Sequence, residues 1–475
     1  MGREITSDER LDEGAFQERL RAESKLAMTW FRDKAFEAPE TPSIGLEVEA
    51  WLVDRDGLPS PRNIEFLNIL DDPLMVPELA AFNFEYNAPP AELEGSVFAD
   101  MTARLSQVWN AASEAADSLE LTPLMTGIPA TLREPMLSLD TITESARYRL
   151  LNDRLFQLRG GAPLTIAIDG RERLDLVQDH LMIEAACTSL QVHLMLTQDN
   201  AAASYNASQI ASAPLIAISS NSPFLYGRRL WEETRIPAFE SAVNLPGYRQ
   251  ADGRRANRVS FGQNHLRNSM MELFLENLDG YPPFLPMVSD TPDDHLVHFN
   301  LHNGTIWRWT RPILYPGKGK TPHLRLENRV MPAGPTVIDM VANTAFCIGL
   351  ILHLREEENL AERLPFEMAR RNFYAGAKQG LSADLVWLDG EVINTQALIR
   401  ERLADAAEQA LVKAGVAAMD AKAAIDIIRG RSRNGQTGAA WQRAHANCNG
   451  NDHQKLILDY LARQQEGAPV HRWTI

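Results

Sequence analysis

Four segments of the chain alternate between an apolar row and a row of charged or hydrogen-bonding side chains, and this period of two limits the fold more than any other feature. In SIGLEVEAWLVD (43–54), Leu46, Val48, Ala50 and Leu52 form one row while Glu47, Glu49 and Trp51 form the other. In FNFEYNAPP, Phe82, Phe84 and Tyr86 oppose Asn83, Glu85 and Asn87. In TSLQVHLML, Leu190, Val192, Leu194 and Leu196 oppose Ser189, Gln191 and His193, and in PHLRLENRV, Leu324, Leu326 and Val330 oppose Arg325, Glu327 and Arg329. Successive side chains of a strand point to opposite faces, so each segment predicts a strand with one apolar and one polar face.

A sheet whose apolar side carries helices would gather the polar rows on its other, concave side. Two carboxylates about 4 Å apart repel by roughly 4 kcal/mol at an effective dielectric near 20, and an uncompensated cluster would protonate. Hard oxygen ligands with one imidazole suit Mg²⁺ or Mn²⁺ better than zinc or copper. Arginines beside Glu327 add guanidinium forks for phosphate oxygens, and metals held by carboxylates together with arginines are what phosphoryl transfer uses. Taken singly, an E-x-E strand is a wetted outer face and R-x-E-x-R a surface ion-pair ladder. Their joint occurrence, each on a strand with an apolar back, favours a metal site formed by Glu47, Glu49, Glu85, His193 and Glu327.

Composition narrows the partners. The 475 residues carry a net charge of −16, which argues against nucleic acid or an anionic membrane as the main partner. Cys187, Cys347 and Cys448 lie far apart without a CxxC pair, consistent with a reducing cytoplasm and with neither a disulfide framework nor a structural zinc. The charged N-terminus lacks an apolar leader pattern, and no uninterrupted apolar run of roughly 18 residues is visible. Gly2 and Thr6 fit the M-G-x-x-x-[ST] pattern, but the neighbouring acids argue against acylation. A homo-oligomer is left open.

Along the chain, helices are expected over 8–37, 98–122 and 143–159, the last capped by Thr143 and stopped by Gly160 and Gly161. Strands are expected within 43–90, near 189–197, and between 297 and 331, and helices from about 336 onward. This is an α+β pattern. It divides into an N-terminal helical segment (1–40), a catalytic core (41–350) and a helical C-terminal layer of the same body (351–475).

Several stretches then carry a resemblance. GLEVEAWLVD, FNFEYNAPP, EAACTSLQVHLML, SSNSPFLYGRRLWEETR, HNGTIWRWTRP and HLRLENRVMPAGPTVIDMVAN together resemble the bacterial glutamate–cysteine ligase family of the second type, within the glutamine synthetase-like carboxylate–amine ligases. The similarity covers roughly residues 40 to 350. It implies a glutamine synthetase-like fold, a curved, mainly antiparallel sheet with helices on its outer face. It also implies an ATP-dependent joining of a glutamate γ-carboxylate to an amine such as cysteine through an acyl phosphate. Carried over by position, Glu49 and Glu85 would hold one Mg²⁺ or Mn²⁺ and Glu47, His193 and Glu327 another. Arg325 and Arg329 would grip ATP phosphates and act in catalysis.

Other candidates are Arg311 and Lys318 for the nucleotide, and Asn87, Gln191, Arg235 and Trp307 for the substrates, with Arg235 either on the substrate α-carboxylate or a solvated surface arginine. Trp307, Arg308, Trp309 and Arg311 are expected as pocket walls or as filling of one strand face. Glu92 and Glu94 are exposed loop acids or an extra ligand. SRNGQTGAAWQRA is a lid or a plain connection. Gly319-Lys320-Thr321 imitates the end of a P-loop, but the required first glycine is Leu314. A phosphotransferase of the same superfamily and a non-catalytic nucleotide-binding regulator are the competing functions.

Overall fold

The computed structural model describes residues 11–245, 247–248, 257–317, 319 and 321–475. Gly2, Thr6, Lys318 and Lys320 lie outside the described residues. All four alternating segments are strands: β1 (Ser43–Val53), β3 (Asn83–Asn87), β4 (Ser189–Leu196) and β6 (His323–Pro332). With β2 (Met75–Pro77) and β5 (Thr310–Tyr315) they form one antiparallel sheet in the order β5-β6-β4-β1-β3-β2, while short strands Ala91–Glu92 and Thr122–Leu124 also pair with β1. The expectation of an α+β fold with a mainly antiparallel sheet and helices packed on it is met.

Register converts the sequence pattern into a surface. Glu47 pairs with Gln191 on one side and Asn87 on the other, and Glu49 pairs with Glu85. Glu327 stands between His193 and Arg311. Because the period is two, every polar row lands on the same face. The opposite face is covered by the Ala201–Ser219 helix, buried along almost its whole length. Its many Ala and Ser residues leave little side-chain bulk, so neighbouring helices approach closely. Above it lies the Val337–Leu354 helix, which runs across residue 350. Its mean hydropathy is 1.8 over 18 residues, long and apolar enough by composition to cross a membrane, yet 83% of that window is buried inside the protein. The sequence reading had not singled it out, because Asp339, Asn343 and Thr344 interrupt the apolar run.

Helix boundaries shift modestly from expectation. The first described helix spans Glu13–Arg32 with Asp12 as its cap, and the next long one Val97–Asp117. The third spans Ala146–Leu158 and starts after Ser145. Thr143 is not its cap; its hydroxyl accepts from Asn63 Nδ2 at 3.0 Å and donates to the Glu78 carbonyl. Gly160 and Gly161 do stop that helix, with φ of 64° and 79°. Between 297 and 331 the structure opens with a helix, Val297–Gly304, before the two strands. The Gly-containing turn at 434–438 joins two helices and packs inward: a Cβ on Gly438 would meet Asn221 Oδ1 at 2.0 Å. It is a connection, not a lid.

Two predictions follow from this packing. At Gly349 an added Cβ would lie 2.7 Å from the Ala407 carbonyl oxygen and 2.8 Å from Ala407 Cβ, in the buried contact between the Val337–Leu354 and Ala404–Lys413 helices. Gly349→Ala should destabilise the protein by about 1–3 kcal/mol in denaturant titration, outweighing the roughly 1 kcal/mol of helix propensity that Ala adds. Glu240 Oε1 accepts from Trp309 Nε1 at 2.9 Å and Tyr374 Oη at 2.8 Å. Burial pushes its pKa up to about 7, against the pull of those two hydrogen bonds. The folded state therefore holds this proton where the unfolded chain has released it, and stability falls as pH rises from about 4.5 to about 7. Glu240→Gln keeps the acceptor and removes the titration. Its stability should drop by about 2–3 kcal/mol less than that of the wild type over this interval, measured by denaturation at both pH values.

Candidate functional site

The polar face carries two carboxylate groups of contrasting electrostatics. In the first, ligand atoms of Glu47, His193 and Glu327 lie within 4.8 Å of one another, with His193 Nε2 3.2 Å from Glu47 Oε1. Three arginines surround it. Arg311 Nη2 donates to Glu327 Oε2 at 2.6 Å, Arg329 Nη1 lies 3.8 Å from Glu327 Oε1, and Arg325 shares the same strand face. Burial pushes the Glu327 carboxyl up, but Arg311, Arg329 and His193 bring it net below its usual value. Glu47 is likewise raised by burial and then drawn down to about 2, chiefly by His193.

The second group comprises Glu49, Glu78 and Glu85, again within 4.8 Å of one another. Here cations are scarce. Burial, followed by repulsion from the neighbouring glutamates, drives Glu78 and Glu85 well above the carboxylate range. Glu49 is also raised by burial; Arg329 opposes the rise, and Glu49 accepts from the Ser189 amide at 2.7 Å and from Gln191 Nε2 at 2.9 Å. Beside them Glu184, raised by burial and then by Glu49, reaches about 7. Glu78 was missed in the sequence because it follows Pro77 at the end of a three-residue edge strand. The signal was the hairpin itself: Val76 pairs with Glu85, so Glu78, two residues on, continues the same row.

Both groups fit a divalent cation on their own chemistry. Glu78 Oε1, Glu85 Oε2, Glu327 Oε1 and His193 Nδ1 are buried polar atoms without a hydrogen-bond partner. Buried carboxylate oxygens in that condition are strongly unfavourable unless a proton or a cation supplies the missing contact. Oxygen-rich ligand sets of this kind match Mg²⁺ or Mn²⁺.

A cavity of about 450 Å³ opens beside the first group. Its lining is mixed: Glu47, Gln191, Arg311, Arg325, Arg329 and Arg147 are polar or charged, and Phe274, Leu285, Met287, Trp307, Ile313 and Tyr315 are apolar or aromatic. Arg147, from the helix that begins at Ala146, was not among the sequence candidates because nothing in its local pattern separates it from Arg149.

The remaining candidates divide. Trp307 and Arg311 face the cavity, but Arg308 and Trp309 do not. Arg308 is buried and donates to Glu276 at 2.6 Å and Asn277 at 2.7 Å, and Trp309 is packed against Phe239 and Phe373. Asn87 donates to Glu85 Oε1 at 2.8 Å, so it orients a carboxylate of the second group. Arg235 is neither a surface residue nor a wall of the cavity. Its side chain is 1% exposed and its guanidinium is committed to the Arg329 and Val330 carbonyls. Glu92 and Glu94 are exposed. Cys187 is part-buried near Arg235, and burial pushes its thiol well up, away from reactivity.

The sequence profile of glutamate-cysteine ligase family 2 matches residues 43–458. No curated protein sequence matches the chain. Among solved structures, glutamate–cysteine ligase from Francisella tularensis in complex with AMP superposes with a TM-score of 0.55 at 13% identity, over 91% of this chain and 89% of that one. A bifunctional glutathione synthetase from Pasteurella multocida gives the same score and identity over 96% of this chain and 55% of that longer one. Those similarities establish a shared fold, and the match over 43–458 establishes the lineage: the chain belongs to glutamate-cysteine ligase family 2.

Proposed function

We propose that the protein is an ATP-dependent carboxylate–amine ligase that joins the γ-carboxylate of glutamate, or of a similar acid, to an amine such as cysteine. The observation that carries this reading is the cavity beside the first carboxylate group, whose lining combines apolar and aromatic side chains, suited to a nucleoside, with Glu47, Arg311, Arg325 and Arg329, suited to its phosphates. Family membership agrees with it.

In this reading an oxygen of the acid's carboxylate attacks the terminal phosphorus of ATP, the bond to the β–γ bridging oxygen breaks, and ADP leaves. The amine nitrogen then attacks the acyl carbon, the carbon–oxygen bond to phosphate breaks, inorganic phosphate departs, and the nitrogen's proton passes to solvent. Glu47, His193 and Glu327 would hold one divalent cation and Glu49, Glu78 and Glu85 another; bound cations neutralise phosphate charge and polarise the transferring group. Arg325 and Arg329 hold the phosphates and stabilise charge that develops during transfer. Arg311, tied to Glu327, keeps that carboxylate ionised and adds positive charge at the cavity floor. Gln191 fixes Glu49, and Trp307 gives the cavity an aromatic wall. A cytoplasmic setting belongs to the proposal, since ATP is plentiful there and the three cysteines are unpaired.

Phosphate release from ATP, measured with Mg²⁺ and glutamate across a panel of amines that includes cysteine, tests the activity. Release should require acid and amine together, and Glu327→Gln should lower it by about 100-fold or more. Phosphate retained on an acceptor would establish a kinase instead, and nucleotide binding without turnover would establish a regulator. The cation sites have their own test in Mn²⁺ titration followed by electron paramagnetic resonance without nucleotide. Glu78→Gln should weaken one class of site by about tenfold or more, because ligand charge sets hard-cation affinity. Wild-type Mn²⁺ binding in both Glu78→Gln and Glu327→Gln would remove the metal assignment.

A further inference from the structure

Strand β6 carries one residue more than its partner β4 at the cavity. Asn328 pairs with Val192 and Met331 with Leu190, so three steps along β6 match two along β4 and Arg329 and Val330 form a bulge. A bulge bends its strand, turns a side chain and leaves backbone groups without ladder partners. Here the freed carbonyls are taken by one guanidinium: Arg235 Nη1 donates to the Arg329 oxygen at 3.3 Å and Nη2 to the Val330 oxygen. Arg235 opens the Arg235–Ala242 helix, lies 5.3 Å from the Trp309 ring centre and has Nε 3.3 Å from Glu233 Oε1.

Glu233, fully buried, is itself fixed. Its Oε2 accepts from the Asn221 amide at 2.9 Å and its Oε1 accepts from the Ser222 hydroxyl. Asn221 Nδ2 donates to the Ala333 carbonyl and to Tyr460 Oη, each at 2.8 Å, and Gln442 Nε2 donates to Asn221 Oδ1 at 2.9 Å. A buried chain of hydrogen bonds, with the Glu233–Arg235 ion pair as one link, thus runs from the C-terminal helices Gly438–Cys448 and His453–Glu466 to the backbone of Arg329.

We infer that Glu233 and Arg235 are positioning residues whose task is to hold the β6 bulge, and through it the Arg329 side chain, among the arginines that line the cavity. The inference rests on the reading of Arg329 as a phosphate-binding group. Only a planar fork reaches two successive carbonyls at once, which a lysine ammonium on a single stem does not. The same chain gives the C-terminal layer a role at a distance from the cavity: it fixes Asn221, and Asn221 fixes Glu233.

The test is a double-mutant cycle between the brace and Arg329. Glu233→Gln and Arg235→Lys, each made alone and in an Arg329→Lys background, are assayed for kcat, for the KM of ATP, for thermal midpoint, and for the ratio of AMP to ATP dissociation constants. Misplacing a catalytic group by about 1 Å costs on the order of 100-fold, so each brace variant should lower kcat about 10- to 100-fold and narrow the preference for ATP over AMP. In the Arg329→Lys background the same substitutions should cost less than about threefold, because residues acting as one unit are not additive. Equal losses in both backgrounds would overturn the inference, as would a lowered thermal midpoint with kcat and the AMP-to-ATP ratio unchanged. Glu233→Gln conserves shape and carries the test should Arg235→Lys fail to fold. Absence of amine-dependent turnover in the wild type would sink the ligase reading alone; the cycle is then read on the AMP-to-ATP ratio, which depends only on phosphate recognition.

Discussion

Repulsion among buried carboxylates is the constraint around which this structure is arranged. At the 4.8 Å limit within which each group's ligand atoms fall, a pair of unit negative charges costs about 3 kcal/mol at an effective dielectric of 20. The two groups resolve it differently. Glu327 has Arg311 at 2.6 Å and Arg329 within 4 Å, and its carboxyl is held below its usual pKa. Glu78 and Glu85 have mainly each other and Glu49, and theirs are driven up. The first group is largely neutralised by its own protein, whereas the second depends on what binds to it. If both hold the proposed cations, that difference predicts separate affinities, with the more strongly perturbed group standing to gain more.

A sheet is a suitable carrier for such an arrangement. Period-two alternation lets one stretch of chain supply both the core and the site, so Leu46 and Val48 are anchored in the interior while Glu47 between them is presented to the cavity. Cross-strand register then sets spacing without loops: Arg311, Glu327 and His193 occupy one line across three strands, and Glu47 pairs with Gln191 one line away. The exception is Arg329, which sits on a bulge and so cannot be placed by register. It is the one polar-face residue of β6 that needs an external brace.

Much of this was legible in the sequence because alternation is a local signal. The four strands, their polar faces, and the partition of Glu47, His193 and Glu327 from Glu49 and Glu85 could all be anticipated from spacing and resemblance. What escaped was non-local. Glu78 follows a strand too short to show a period, and Arg147 lies on a helix whose docking over the cavity is decided by tertiary packing. Arg235, in the ETR after the NSPF loop, was open between the substrate α-carboxylate and a solvated surface position; only the fold reveals that its carbonyl partners lie 94 and 95 residues further on. Val297–Gly304 was read as strand because VHFNL favours both states, and packing of His298 against Glu23 at 2.6 Å selects the helix.

Fixed and variable parts of the site therefore have different physical origins. The sheet face supplies charges whose positions follow from backbone register, and at 13% identity the same fold is retained by a glutamate–cysteine ligase. The cavity's other walls come from connections and helix ends: Arg147, the stretch around Leu285, Met287 and Ser289, and the helix beginning at Val297. These walls are held by a few buried side-chain contacts, such as the pair Glu23 and His298, which ties the N-terminal helix to the Val297–Gly304 helix while His298 Nε2 accepts from the Ser289 amide at 3.1 Å. A change in such a contact reshapes the wall without disturbing the register that places the carboxylates. Under the proposed function, phosphate chemistry is thus written into the strands, and discrimination among substrates is left to segments that can be remodelled independently.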